Sequence, residues 1–349
     1  MWHSLRTRLL QATESPCVNA LLTILEATDW RLSQLLRVIT YHRVDEWDHR
    51  TELDPSTLSA SPSAFEQQMG FLAHNYKVIS MQTAVNAATG KEPLPDRALL
   101  ITFDDAYQDF TENAWPILRR FAIPATLFVP TGYPNNPDRV FWWDRLYQAV
   151  VVNPQSVALS TPKGRLLLRS PEERHSAFRW LKQWIKRLPH HLAMAQVEQI
   201  CNTLASRPTA SHVLSWDELR SLAQSGLTLA PHTRTHPLLN RVDADQCIAE
   251  VNGSICDLER HVGPTLPVFA YPDGATSTAA ENALRRAGVS LAFTTTRGIN
   301  RIGKHDPLRL LRINIGRQTS LSLLRLQLLP CSAFLSGRSR PQEENLCLA

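Results

Sequence analysis

The chain has 349 residues, 43% of them hydrophobic and 20% charged, which excludes disordered, collagen-like and membrane-spanning classes and allows a large buried core. Its formal net charge of +5 is small and scattered, which argues against nucleic acid as a partner, since a binding footprint needs Lys and Arg gathered on one face. The six cysteines form no Cys-x-x-Cys pair and show no regular spacing, so reduced thiols are expected rather than a zinc ribbon or a disulfide framework. No apolar run is long enough to span a bilayer; no transmembrane segment is expected, and association with a membrane surface stays open. Behind Arg6 and Arg8, Glu14 and Pro16 interrupt the apolar stretch before a signal-peptide core can form, and a cytoplasmic location is the expectation.

In chain order, a helical segment is expected over residues 1–35. Short β-rich runs then recur at Arg37–Tyr41, Lys77–Ser80, Ala98–Phe103, Ala125–Pro130, Leu227–Pro231, Pro267–Tyr271, Leu291–Thr295 and Leu310–Ile315. Many are apolar at successive positions, the pattern of strands buried on both faces. Helices with recognisable ends lie between them. Ser215 and Glu218 make a capping box, with Gly226 as the stop; Asp243 caps a segment carrying Ile248, Val251, Ile255 and Leu258; Thr278 with Glu281 opens another, closed by Gly288. Alternating strands and helices mean parallel strands with crossover helices, and the number of strand candidates predicts a distorted or incomplete (β/α) barrel over residues 36–316. The rhythm breaks from Phe141 to Leu214, where Phe141, Trp142 and Trp143 precede helical patterns at Pro171–Arg187 and Ala193–Leu204 with no convincing strand. This stretch, 141–214, reads as a helical insertion roofing the site. Residues 317–349 are expected to hold a helix and a polar, disordered tail from about Ser336.

In parallel barrels, active sites collect at the C-terminal ends of the strands. Asp104 and Asp105 follow one strand candidate, His232 to His236 another, His42 a third, and Pro272, Asp273 and Gly274 a fourth. Adjacent carboxylates at the mouth of a buried strand repel each other. A divalent metal resolves this by taking one as a ligand and leaving the other as a base. The alternative is that Asp105 caps the next helix and Asp104 sits in solvent. His-x-x-x-His suits a zinc pair, although Pro237 disfavours helical geometry at His236 and suggests a turn instead. Two imidazoles plus one carboxylate form a catalytic-zinc ligand set with a position left open for water.

Thr102-Phe103-Asp104-Asp105 and His232-Thr233-Arg234-Thr235-His236 resemble the first two signature motifs of the polysaccharide deacetylases, carbohydrate esterase family 4, and Phe269-Ala270-Tyr271-Pro272-Asp273-Gly274 resembles the third. The resemblance runs from about Tyr41 to Ile315, apart from the insertion. It implies that Asp104 is the general base, that Asp105, His232 and His236 hold one divalent metal, zinc being the expectation, and that backbone N–H groups near Tyr271 or Asp273 bind the oxyanion. It also implies an N-acetylated glycan as substrate, with acetate released. Two departures stand out. Ala270 replaces the arginine that usually steadies the catalytic aspartate, and Arg312 is a candidate to supply that charge from another direction, against a purely structural role. The late histidine motif that provides the general acid is missing, while His42 in Tyr41-His42-Arg43-Val44 is similar to the early histidine of a subset with that motif permuted to the front. Because of these departures, a carbohydrate-binding protein that kept the fold and lost catalysis is the alternative reading.

Overall fold

A computed structural model of the protein describes residues 15–28, 34–153, 156–162, 164–206, 209 and 211–330. The tail expected to be disordered from Ser336, and most of the first half of the N-terminal segment, lie outside the described residues. Within that segment Pro16–Thr28 is a helix. No helix of the described residues is long and apolar enough to cross a membrane.

Seven strands make the barrel: β1 (Leu35–Tyr41), β2 (Ala98–Phe103), β3 (Thr126–Val129), β4 (Thr228–Pro231), β5 (Val268–Ala270), β6 (Leu291–Arg297) and β7 (Leu310–Asn314). They pair in parallel in the order β5-β6-β7-β1-β2-β3-β4. The order is the chain order, wound once round. β4 and β5 lie side by side but share no ladder, so a seam remains where a closed barrel would have its last pairing. The expected Lys77–Ser80 strand shrinks to Lys77–Val78, which shares an edge of β2 with β3. The barrel is therefore incomplete, as the sequence predicts.

Because side chains alternate across a strand, the apolar runs divide into two sets. Leu36, Val38, Leu100, Phe128, Val268 and Phe293 gather in one cluster, closed by Met81, Ala84 and Val85 of a short helix. Their neighbours Ile39, Ile101, Phe103, Leu127, Leu229 and Ile313 belong to another, shared with surrounding helices. Arg312 occupies the same strand face as Leu310 and is fully buried.

The helix ends largely follow the sequence. Ser215 and Glu218 form the capping box before Trp216–Gln224, and Asp243 caps Ala244–His261. The third helix is capped by Ser277 rather than Thr278, whose place is the first helical turn. The stretch 141–214 is not wholly helical. Beside the helices Pro171–Ile185 and His190–Thr203 it holds an antiparallel hairpin, Ala158–Thr161 with Gly164–Leu167. Most of the stretch packs into a core of its own, around Leu146, Phe178, Leu181 and Val197. Its ends do not: Phe141, Trp143, Val213 and Leu214 belong to the barrel's own core. An excision at 141–214 would thus remove barrel residues.

Candidate metal centre

Asp105, leaving β2, and His232 and His236, following β4, are all buried, and each offers a ligand atom within 4.8 Å of the others. His236 Nε2 lies 3.2 Å and His232 Nε2 3.7 Å from Asp105 Oδ1. That oxygen has no hydrogen-bond partner among the described residues. An anionic oxygen without a donor is costly to bury, and two imidazole nitrogens facing it make a three-donor set that fits a divalent cation. Burial raises the Asp105 pKa, but the surrounding imidazoles of His236, His42 and His232 hold it below the usual carboxylate range. His232 Nδ1 lies 2.8 Å from the carbonyl oxygen of Ala270. A carbonyl can only accept, so Nδ1 carries the proton and Nε2 keeps its lone pair for a ligand bond. Burial lowers the His232 pKa to about 4, which keeps the ring neutral.

The His-x-x-x-His pair is not helical. Thr233 has φ 65° and His236 φ 60°, and the His236 N–H donates to Thr233 Oγ1 at 3.0 Å. Glu250, on the helix Ala244–His261, holds the loop by accepting from the N–H groups of Arg234 and Thr235 at 2.7 and 2.9 Å. Asp105, Ala106 and Asp273 also have positive φ. Left-handed backbone at non-glycine residues is uncommon and strained. Each of the three loops that carry the site holds at least one such residue, and others, such as Gln34, Arg97 and Ala122, lie elsewhere.

Asp104 is not a member of this set. Arg312 Nη1 donates to its Oδ1 at 2.8 Å and Nη2 to its Oδ2 at 2.7 Å, a bidentate pair between groups that are both buried. Arg312 is itself held by Thr294 O and Thr40 Oγ1. Burial raises the Asp104 pKa, but the Arg312 guanidinium, together with His232 and His42, holds the carboxyl below its usual range. The position of Ala270 contributes a backbone carbonyl, and Arg312 approaches from β7.

His42 lines a cavity of about 370 Å³ together with Asp104, Asp105, His232, His236 and Asp273. Its backbone N–H donates to Ser59 Oγ at 2.9 Å. Tyr271 requires a correction. Its N–H is committed to Phe293 O at 3.0 Å, its hydroxyl to Leu308 O at 3.0 Å, and it is fully buried outside the cleft lining. Strand pairing between β5 and β6 extends one residue past Ala270 and takes the donor. His305 and Asp306 are not among the residues that line the cleft, and Asp306 caps the turn Pro307–Arg309.

The sequence does not single out the residues that brace His236. Phe141 and Trp143 meet the His236 ring edge-on at 5.6 and 4.9 Å between centroids. Trp143 Nε1 donates to the Tyr107 hydroxyl at 2.9 Å, and that hydroxyl donates to Asp144 Oδ2 at 2.7 Å. Asp144 Oδ1 accepts the Asp54 N–H at 2.7 Å. Burial pushes the Asp144 carboxyl up to about 7. A carboxyl whose folded pKa is raised contributes stability that is full below its unfolded pKa of about 3.9 and is lost as pH rises through the folded value. The wild type is therefore expected to lose stability relative to Asp144→Asn between about pH 4 and pH 7, by an amount on the order of 2–4 kcal/mol. Denaturant midpoints of the two proteins measured across that window check this. A constant gap would mean that Asp144 is ionised throughout.

The family model for polysaccharide deacetylase matches residues 91–292. A poly-β-1,6-N-acetyl-D-glucosamine N-deacetylase of Escherichia coli K12 is 35% identical over 95 residues, covering 27% of this chain and 13% of that protein. One of the same name from Staphylococcus aureus is 38% identical over 76 residues, 22% of this chain and 26% of that one. The match thus spans about an eighth and a quarter of the lengths of these curated relatives. Among solved structures, the Streptococcus pyogenes deacetylase PplD in complex with acetate superposes with a TM-score of 0.57 at 19% identity, covering 85% of this chain and 99% of that one. IcaB from Ammonifex degensii gives 0.57 at 19%, covering 85% and 97%. These two share the fold. With the family model covering more than half of the chain and the Asp-Asp and His-x-x-x-His residues meeting at one barrel mouth, the protein belongs to the polysaccharide deacetylase family.

Proposed function

We propose that the protein is a metal-dependent amidohydrolase that removes N-acetyl groups from a carbohydrate and releases acetate. The observation that carries this is the division of labour between adjacent aspartates. Asp105 faces the two imidazoles while Asp104, outside that set, is clamped by Arg312 at the edge of the same cleft. A carbohydrate-binding protein has no use for a base held so tightly beside a ligand set, which disfavours the non-catalytic alternative. The names of the curated relatives support an N-acetylglucosamine-containing substrate.

Zinc suits two imidazoles and one carboxylate, and when bound it would polarise the acetyl carbonyl and make water a nucleophile near neutral pH. Asp104, ionised because of Arg312, accepts the proton of the attacking water. Asp273 lines the cleft on a turn with φ 53°, and with the Tyr271 N–H taken, the oxyanion role passes to that turn. His42 stands in the same cleft as the donor to the departing nitrogen.

An amide leaves only if its nitrogen is protonated as the bond breaks, whereas an activated ester depends less on an acid. His42→Ala is expected to keep its metal and to lose on the order of a hundredfold in acetate release from an N-acetylated sugar. The loss on an activated acetate ester is expected to be much smaller. Equal losses on both substrates would remove His42 from the mechanism, and no acetate from any acetylated glycan would sink the function itself.

A further inference from the structure

The cleft above the metal ligands has a neighbour. Ser56 and Asn314, which line it, also line a second cavity of about 480 Å³. The segment after β7, with Gly316, Arg317 and Gln318, forms one side of this hollow, and Pro55 and Leu58 face it. Among the described residues its lining holds a single formal charge, Arg317, and no carboxylate. The two lysines of the first cleft are already neutralised: Lys182 pairs with Asp54, and Lys186 Nζ lies 2.7 Å from Asp273 Oδ1. Arg317, itself exposed, instead lies over the ring of Trp47, with 5.9 Å from guanidinium carbon to ring centre, and both also line an adjoining hollow that holds Glu46. Its backbone N–H is tied to Leu58 O at 3.1 Å. Trp47 is 70% exposed. Stacking of this kind orients a guanidinium plane while its N–H edge stays free for a planar or tetrahedral anion.

We propose that this second hollow is a subsite for an anionic group, a carboxylate or a phosphate, on the sugar next to the one being deacetylated, and that Arg317 binds that group. The inference rests on the deacetylase reading, since it is the acetamido sugar at Asp105, His232 and His236 that fixes where its neighbour lies. The two cavities meet at Ser56 and Asn314, so a chain held at the metal ligands runs directly into the second hollow. Asn314 and Gln318 add polar side chains there for sugar hydroxyls. A ligand cavity of this size is ordinary for a small-molecule moiety.

The test uses the full-length, metal-loaded protein and three matched N-acetylated oligosaccharides: one neutral, one with a uronic acid beside the acetamido sugar, and one with a phosphate there. The wild type should favour an anionic substrate over the neutral one by up to about fivefold in kcat/KM, the upper end for one ion pair at an exposed site. Which anionic arm is favoured identifies the source of the charge. Arg317→Ala should abolish the ratio through KM, and Arg317→Lys should keep part of it, because a lysine retains the charge without the fork. Equal kcat/KM on all three substrates, or a preference that survives Arg317→Ala, overturns the subsite and leaves the deacetylase reading intact. Binding of the same oligosaccharides to Asp104→Asn separates the reverse case. If no glycan is deacetylated but an anionic one binds and is lost on adding Arg317→Ala, the catalytic reading fails and the subsite stands. If none binds and none reacts, both fail.

Discussion

Asp104→Asn is expected to lower kcat by roughly 10²–10⁴-fold while a full complement of bound metal remains. Asp104 touches Arg312 rather than the imidazoles, so removing its charge empties no ligand position. Asn keeps the shape and loses the proton acceptor. Asp105→Ala should do the reverse, abolishing metal binding and activity together, as should the His232→Ala, His236→Ala double variant. Metal content by elemental analysis, set beside acetate release, distinguishes the two classes. Loss of metal from Asp104→Asn together with an active Asp105→Ala would show that the roles of the aspartates are exchanged.

Arg312→Met is the second substitution with a large expected effect. It leaves Asp104 buried without its counter-charge, a loss that typically costs about 3–5 kcal/mol. It also removes the influence that keeps the carboxyl low, so burial then raises the Asp104 pKa. Any residual activity should therefore need higher pH, with the acid limb of the kcat profile displaced upward relative to the wild type. Adding Asp104→Asn to Arg312→Met should recover much of the stability, because neither charge then remains, and none of the activity. Failure of the double variant to regain stability would mean that the Arg312 contacts with Thr294 and Thr40 carry the effect. Arg312→Lys should fall between the two, since a lysine cannot make the bidentate pair.

The barrel and the ligand set were legible in the sequence for a common reason. Strands buried on both faces, such as Ala98–Phe103, are apolar at nearly every position, so the run of polar residues after them marks the barrel mouth. Asp104, Asp105 and His232 stand at such positions. Arg312 was only half legible. A strand position among Leu310, Leu311 and Ile313 signals burial, but which carboxylate it meets depends on how the strand sits beside β1, and that register is a property of the closed sheet. The hairpin at Ala158–Thr161 and Gly164–Leu167 left little trace, because its strands are short and largely solvent-facing, with apolar runs of only three residues at 157–159 and 166–168. Tyr107 and Asp144 were hidden differently. Each has its partner 37 positions away, and no local pattern announces such a pair.

The seam between β4 and β5 has a consequence for how the protein moves. The hydrogen bond from His232 to Ala270 O crosses it, joining two strands that share no ladder. Its acceptor is main chain, so a substitution at position 270 can weaken it only through a change of volume or strand path, whereas loss of the His232 ring removes it outright. Prising the strands open and releasing the imidazole are thus a single event. Whatever grips the Nε2 side of that ring acts as a latch on the cylinder. Slower amide hydrogen exchange along 228–231 and 268–270 in the metal-loaded protein than in the metal-free one is the signature to look for.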